Sequence, residues 1–189
     1  MATDRNHRRE QIVGEVRRWV EGMVIALDLC PFARWPFDAG RVRIAVSEAR
    51  DEESLLADLQ AELKHLDEHR PEKLETSLLV VSRMLQDFFD YNDFLDQADA
   101  LLDTFGWTGR YQIASFHPDY RFAGTGPDAA ENYSNRAPWP VLHILREDSL
   151  EEAVARHPDP AGIPDRNIEL LNRMGAAALK ERLASLKKE

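Results

Sequence analysis

The sequence predicts an α/β fold (or α+β), with a four-stranded, mostly parallel or mixed sheet packed by about five helices. Three observations lead there. Short β-type runs alternate with amphipathic helical stripes through the first two thirds of the chain. The apolar spacing switches back and forth between periods of about 3.6 and 2. One irregular segment, His117 to Pro140, then separates the last two strand-like runs.

Ile12, Val16, Trp19/Val20, Met23 and Leu27 recur at three- and four-residue steps and predict a helix over 6–29. Pro31 and Pro36 resist its continuation. A short helix starting at Pro31 would make Cys30 its N-cap. Val42, Ile44 and Val46 alternate with Arg41, Arg43 and Ala45, the mark of a half-buried strand. Leu55/56, Leu59, Leu63 and Leu66 form a second helical stripe that ends before Pro71, with Asp51, Glu52 and Glu53 placed near its positive N-terminus. Leu78 to Val81 is a continuous apolar run, as in a strand buried on both faces. Phe88, Phe94/Leu95, Ala98, Leu101/102 and Phe105 mark a third helix over 87–105, closed by Gly106. Residues 111–116 form a third strand and 141–145 a fourth. Ser149-x-x-Glu152 reads as a capping box opening a short helix. Pro164 starts a last helix that Gly175 loosens. Helical crossovers imply that the first three strands are parallel neighbours, and the direction of the fourth stays open. No linker or repeat divides 1–189, so a single domain is expected.

The net charge of −10 repels phosphate backbones and argues against nucleic acid as a partner. No apolar run approaches the roughly 20 residues that span a bilayer, and the polar start does not resemble a signal peptide. One cysteine excludes a disulfide framework, and a reducing, cytoplasmic location follows as the default. Oligomeric state has no signature here.

The segment 117–140 is far longer than the about 12–15 residues beyond which loops are usually functional or disordered. Its Tyr120, Phe122, Tyr133 and Trp139 argue against disorder. His117 follows the third strand, at the strand end where open α/β sheets place ligands, and is a candidate acid or base. Its structural alternative is to pin the loop by hydrogen bonds. His143, between Leu142 and Ile144, is either a satisfied core histidine or a ligand-binding one. If strands three and four were neighbours, both histidines could face one site, and with Asp119, Asp128 or Glu131 they would form a metal set. Cys30 is a small buried hydrophobe or a nucleophile with His117 as base, and heme ligation by Cys-Pro is a lesser alternative. No cofactor is expected. Arg34, Arg121 and Arg136 lie in irregular segments, while Arg41, Arg43 and Arg146 lie on or beside strands. Their planar forks suit carboxylate or phosphate, or else pair with nearby acids. Asn132 and Asn135 could orient a ligand or tie the loop's own backbone.

The strings L-C-P-F-A at 29–33, S-F-H-P-D-Y-R-F-A-G at 115–124, E-N-Y-S-N-R-A-P-W-P-V-L-H-I-L-R-E at 131–147 and I-P-D-R-N-I at 163–168 resemble the domain of unknown function 1415 family. The resemblance implies a small, mostly bacterial, single-domain protein and supplies no activity, cofactor or catalytic residue. The residues themselves suggest a cytoplasmic enzyme acting on a small anionic metabolite. Its expected pocket lies between the 117–140 loop and the 30–36 turn. His117 and Cys30 would be catalytic, and Arg34, Arg121, Asn132, Asn135, Arg136 and His143 would bind substrate. The competing expectation is a non-catalytic protein-binding or regulatory module docking through Trp139 and Tyr133.

Overall fold

Strands β1 (Val42–Ser47), β2 (Thr76–Val81), β3 (Tyr111–Phe116) and β4 (Val141–Arg146) form one mixed sheet in the order β1-β2-β4-β3. The computed structural model describes residues 2–187, with side chains from residue 4 onward. Around the sheet run α1 (Ala2–Trp19), α2 (Arg34–Asp38), α3 (Glu52–Asp67), α4 (Phe88–Thr104), α5 (Glu147–Arg156), α6 (Ile163–Met174) and α7 (Ala176–Ser185). β1 and β2 are parallel neighbours, as the α3 crossover dictates. β4 enters between β2 and β3 and is antiparallel to both. The three earlier strands therefore keep one direction, but β3 is not beside β2. The 117–140 segment lets the chain return as a hairpin-like partner of β3 and fill that slot.

Alternation along each strand divides the interior into two cores. Ala45, Leu79, Val81, Tyr111, Leu142 and Ile144 face α3 and α4. There Leu55, Leu59, Leu63 and Leu66 line one stripe of α3, and Tyr91, Phe94, Ala98 and Leu102 line one stripe of α4. Each leucine or phenylalanine among them contributes about 1.5–3 kcal/mol on full burial. Val46, Leu78, Val80 and Val141 face the other way, onto Ile12, Val16, Trp19 and Met23 of the first helix and onto Leu171 and Leu179 of α6 and α7.

The first helix is not regular to its end. Over Val20–Ile25 it widens into a π turn: Ala26 N donates to Glu21 O at 3.0 Å and Leu27 N to Met23 O at 3.1 Å. The Gly22 carbonyl is skipped by this shift, and Arg182 Nε from α7 donates to it at 2.8 Å. Three further boundaries differ from the sequence reading. α2 begins at Arg34 with Ala33 as its cap, so Cys30 does not cap a helix. α5 begins at Glu147, which leaves Ser149 inside it rather than at a capping position. Gly175, at φ 82° and ψ 147°, fully separates α6 from α7. No helix among the described residues is long and apolar enough to cross a membrane.

Candidate functional site

α1 and its π turn cover only part of their face of the sheet. Where β2 begins and β4 ends, the covering elements are instead the Cys30–Phe37 segment and α5, and a cavity of about 650 Å³ lies between them. That volume falls within the range of small-molecule sites, roughly 300–1,000 Å³. Most of its wall is apolar: Trp19, Val20 and Val24 from the first helix, Phe32, Trp35 and Phe37 from the turn, and Phe116 and Leu145 from the sheet. A second depression, at the start of α1 and of α3, is open at the surface and holds Arg5, Arg9 and Arg50. Two of its carboxylates already have work: Asp51 caps α3 through Ser54 N at 2.8 Å, and Asp58 accepts from Ser47 Oγ at 2.6 Å.

Three polar groups interrupt the apolar wall of the cavity beside the Cys30–Phe37 segment. The first is Arg41, only 7 % exposed. Its guanidinium carbon lies 3.4 Å from the ring centroid of Trp35, and Nη1 donates to Pro71 O at 3.4 Å. Nε and Nη2 are buried and have no hydrogen-bond partner; they are the only buried side-chain polar atoms among the described residues in that condition. A buried donor without an acceptor costs about 1–3 kcal/mol, more when charged, so it calls for an explanation.

The second group is His143. The Thr76 hydroxyl sits 2.5 Å from Ile144 O and 2.8 Å from His143 Nε2. A carbonyl can only accept, so the single hydroxyl proton goes to Ile144, and Nε2 must donate to Thr76 Oγ1. Nδ1 is left with its lone pair and has no protein partner among the described residues. Burial pushes the imidazole pKa down to about 4, so the ring is neutral near pH 7. The third group is Cys30. Burial raises its thiol pKa, outweighing the lowering effect of the Phe32 and Ala33 main-chain N–H groups, so the sulfur keeps its proton at neutral pH.

The cations at the rim are engaged. Arg146 reaches Leu66 O at 2.6 Å, His69 O at 2.7 Å and Tyr111 Oη at 3.1 Å, and so fastens β4 to the end of α3. Arg156 pairs with Glu152. Glu72 and Glu75 stand in the wall near Arg41 without an ion-pair partner among the described residues.

Of the residues expected to form a site, Cys30 and His143 share this cavity. The 117–140 loop does not line it, so this cavity is not the pocket expected between that loop and the 30–36 turn. His117 is fully buried on the opposite face of the sheet, against Phe88 and Tyr91. Its Nε2 donates to Leu85 O at 3.1 Å and its Nδ1 accepts from Asp119 N at 3.0 Å. Desolvation lowers its pKa, as a neutral ring with both nitrogens engaged requires. The sheet stands between His117 and both His143 and Cys30. The two histidines therefore cannot share a metal, nor can His117 act as base toward the thiol. No cluster of three or more His, Cys, Asp or Glu suited to a metal occurs among the described residues.

The loop's other candidates tie down the loop itself. Asn132, fully buried, accepts from Phe122 N and Thr125 Oγ1 and donates to Gly126 O. Asn135 Nδ2 donates to Ser115 O at 3.1 Å. Arg136 stacks over Tyr133 and donates to Tyr120 O and Pro127 O. Arg121 is exposed and only approaches the Phe89 ring, at 6.0 Å. Arg34 is exposed too, with one 3.4 Å contact to Ile25 O. Tyr133 is buried, and Trp139 Nε1 donates to the buried Glu15 at 2.7 Å, so neither aromatic offers a flat exposed patch.

Arg41, Thr76 and Trp35 were missed as site residues. Arg41 sits just before β1 and reads like any other strand-flanking arginine. Its distinction, two unpartnered nitrogens, exists only once Trp35 folds over it.

No curated protein and no solved structure matches this chain. A family model does match, over residues 11–181, and its span takes in every residue that lines the cavity. The chain belongs to the family described as Protein of unknown function (DUF1415).

Proposed function

We propose that this protein binds a small anionic metabolite in the cavity between the Cys30–Phe37 segment, α5 and the open face of the sheet. One observation carries the reading: a buried, positively charged edge of Arg41 that has no hydrogen-bond partner among the described residues, in the wall of a concave and mainly apolar space. An anion would supply the missing acceptors. His143, with Nδ1 unpaired, would accept a hydrogen bond from a ligand O–H or N–H. Binding rather than turnover is the reading these groups support. An imidazole with a pKa of about 4 is poorly matched to proton transfer at neutral pH, and a protonated Cys30 is not an activated nucleophile. An anion bound beside His143 would raise its pKa, so proton exchange with a ligand belongs to the complex and not to the free protein. A cytoplasmic location is part of the proposal, on the strength of the single thiol.

Thermal unfolding in the presence of a panel of anionic metabolites tests this. A ligand at 100 times its Kd adds about 2.7 kcal/mol of stability. For a chain of this size that is a rise of roughly 5–10 °C. Arg41→Met should abolish the rise while leaving the unliganded protein as stable as the wild type or more so, because a buried orphan charge is replaced by an apolar side chain. An equal response from wild type and Arg41→Met to every anion would sink the proposal.

A further inference from the structure

We propose that the occupant of this cavity is a monocarboxylate on an apolar, preferably aromatic body, and that its two oxygens take the Nε–Nη2 edge of Arg41. The inference deepens the small-anion reading above and rests on it.

Nε and Nη2 project from the same side of a guanidinium, and that side forms two parallel N–H···O bonds with a planar carboxylate. The chain contains its own example two residues away. Arg43 uses the same two atoms to hold both oxygens of Glu62, at 2.8 and 3.1 Å. At Arg41 the same edge is vacant. Nη1 is already directed at Pro71 O, which anchors the guanidinium and leaves the Nε–Nη2 edge for a ligand. That edge offers two donors, and a carboxylate has no more than two oxygens to place on them.

Charge points the same way. Arg146 has its donors on main-chain carbonyls and the Tyr111 hydroxyl, and Arg156 faces Glu152. Among the described residues one free cationic edge therefore meets the ligand, and Glu72 and Glu75 in the same wall repel a second negative charge. A phosphate or phosphonate dianion needs more donors than this site offers. The body of the ligand is read from the remaining wall, where Trp35 and Phe116 suit a flat ring. Nε and Nη2 are closed off from solvent, so Trp35 must move aside for the carboxylate to reach them. It stands on the five-residue helix α2 and is 69 % exposed.

The test compares matched probes on the full-length protein by isothermal titration calorimetry: phenylacetate and hydrocinnamate against benzylphosphonate and phenethylphosphonate. We expect saturable binding of a carboxylate at least tenfold tighter than its phosphonate. Arg41→Lys should weaken it tenfold or more although the charge is kept, and Arg41→Met should abolish it, with unchanged circular dichroism in both variants. Phosphonates binding as tightly or more tightly, still dependent on Arg41, would overturn the carboxylate assignment and leave the small-anion reading standing. Absence of binding in both series, or binding that survives Arg41→Met, would overturn both. A crystal structure of the free protein with the Glu72 or Glu75 carboxylate on the Nε–Nη2 edge would also overturn the carboxylate site.

Discussion

His117 has no atom left to offer a ligand, since one ring nitrogen donates to Leu85 O and the other accepts from Asp119 N. The bond to Leu85 supports a costly conformation. Leu85 is buried with φ 54°, a left-handed backbone that a leucine adopts only when its surroundings impose it. Replacing His117 with Leu keeps much of the volume, removes both hydrogen bonds and leaves a buried carbonyl unsatisfied. Each lost partner costs about 1–3 kcal/mol, so His117→Leu should destabilise the fold by about 3 kcal/mol, read from urea midpoints. Anion binding in the cavity across the sheet should be unaffected under native conditions. Loss of binding with stability intact would instead make the loop part of the site. The sequence places His117 at the end of a strand correctly, but the direction of its side chain depends on a half-period that no neighbour marks. Gln112, Ala114 and Phe116 carry no stronger apolar signal than Tyr111, Ile113 and Ser115, and a shift of one residue moves a side chain to the other face. His143 was easier to place, because Leu142 and Ile144 flank it and must face the core.

At the scale of elements, Gly175 sets the angle between the last two helices. Its φ of 82° and ψ of 147° lie in a region essentially reserved for glycine, and nothing within 4 Å would obstruct a Cβ. Backbone strain alone therefore decides a substitution there. Gly175→Ala should cost about 1–3 kcal/mol and lower the melting temperature by several degrees. An unchanged melting temperature would mean that packing of Leu171 and Leu179, not the glycine, imposes the break. The helix and strand periods were strong enough in the sequence to reveal all four strands and both long stripes on α3 and α4. Strand order was not legible, because the hydrophobic pattern records which face is buried and not which neighbour is paired. The π turn was hidden for a related reason: Ile12 through Leu27 satisfy the helical period, and only the Arg182 bond to the skipped Gly22 carbonyl exposes the extra residue. Ser149 shows the opposite failure, in which a capping pattern is present but Arg146 is fixed by α3 and the helix begins earlier.

For the molecule as a whole, two neutral histidines tie stability to pH. Unfolded histidine titrates near 6.5, whereas burial holds His143 near 4 and lowers His117 as well. Below pH 6.5 the unfolded chain takes up protons that these buried rings refuse, so stability falls with falling pH. The contribution is fully present above pH 6.5, and the part due to His143 is lost progressively as pH falls toward about 4, amounting to on the order of 3 kcal/mol. Against a typical total of about 5–15 kcal/mol this is a large share. The net charge of −10 acts in the other direction, because approaching the isoelectric point of about 5.1 relieves self-repulsion. The two effects separate in His143→Gln, which keeps a hydrogen-bonding group toward Thr76 but does not titrate. Urea midpoints at pH 7.5, 6.0 and 5.0 should decline less steeply in that variant than in the wild type. A saturating anion should flatten the wild-type slope too, since a negative charge beside His143 raises its pKa toward the unfolded value. Parallel pH profiles for wild type and His143→Gln would show that this imidazole is not the titrating group and would remove its assigned place facing the cavity.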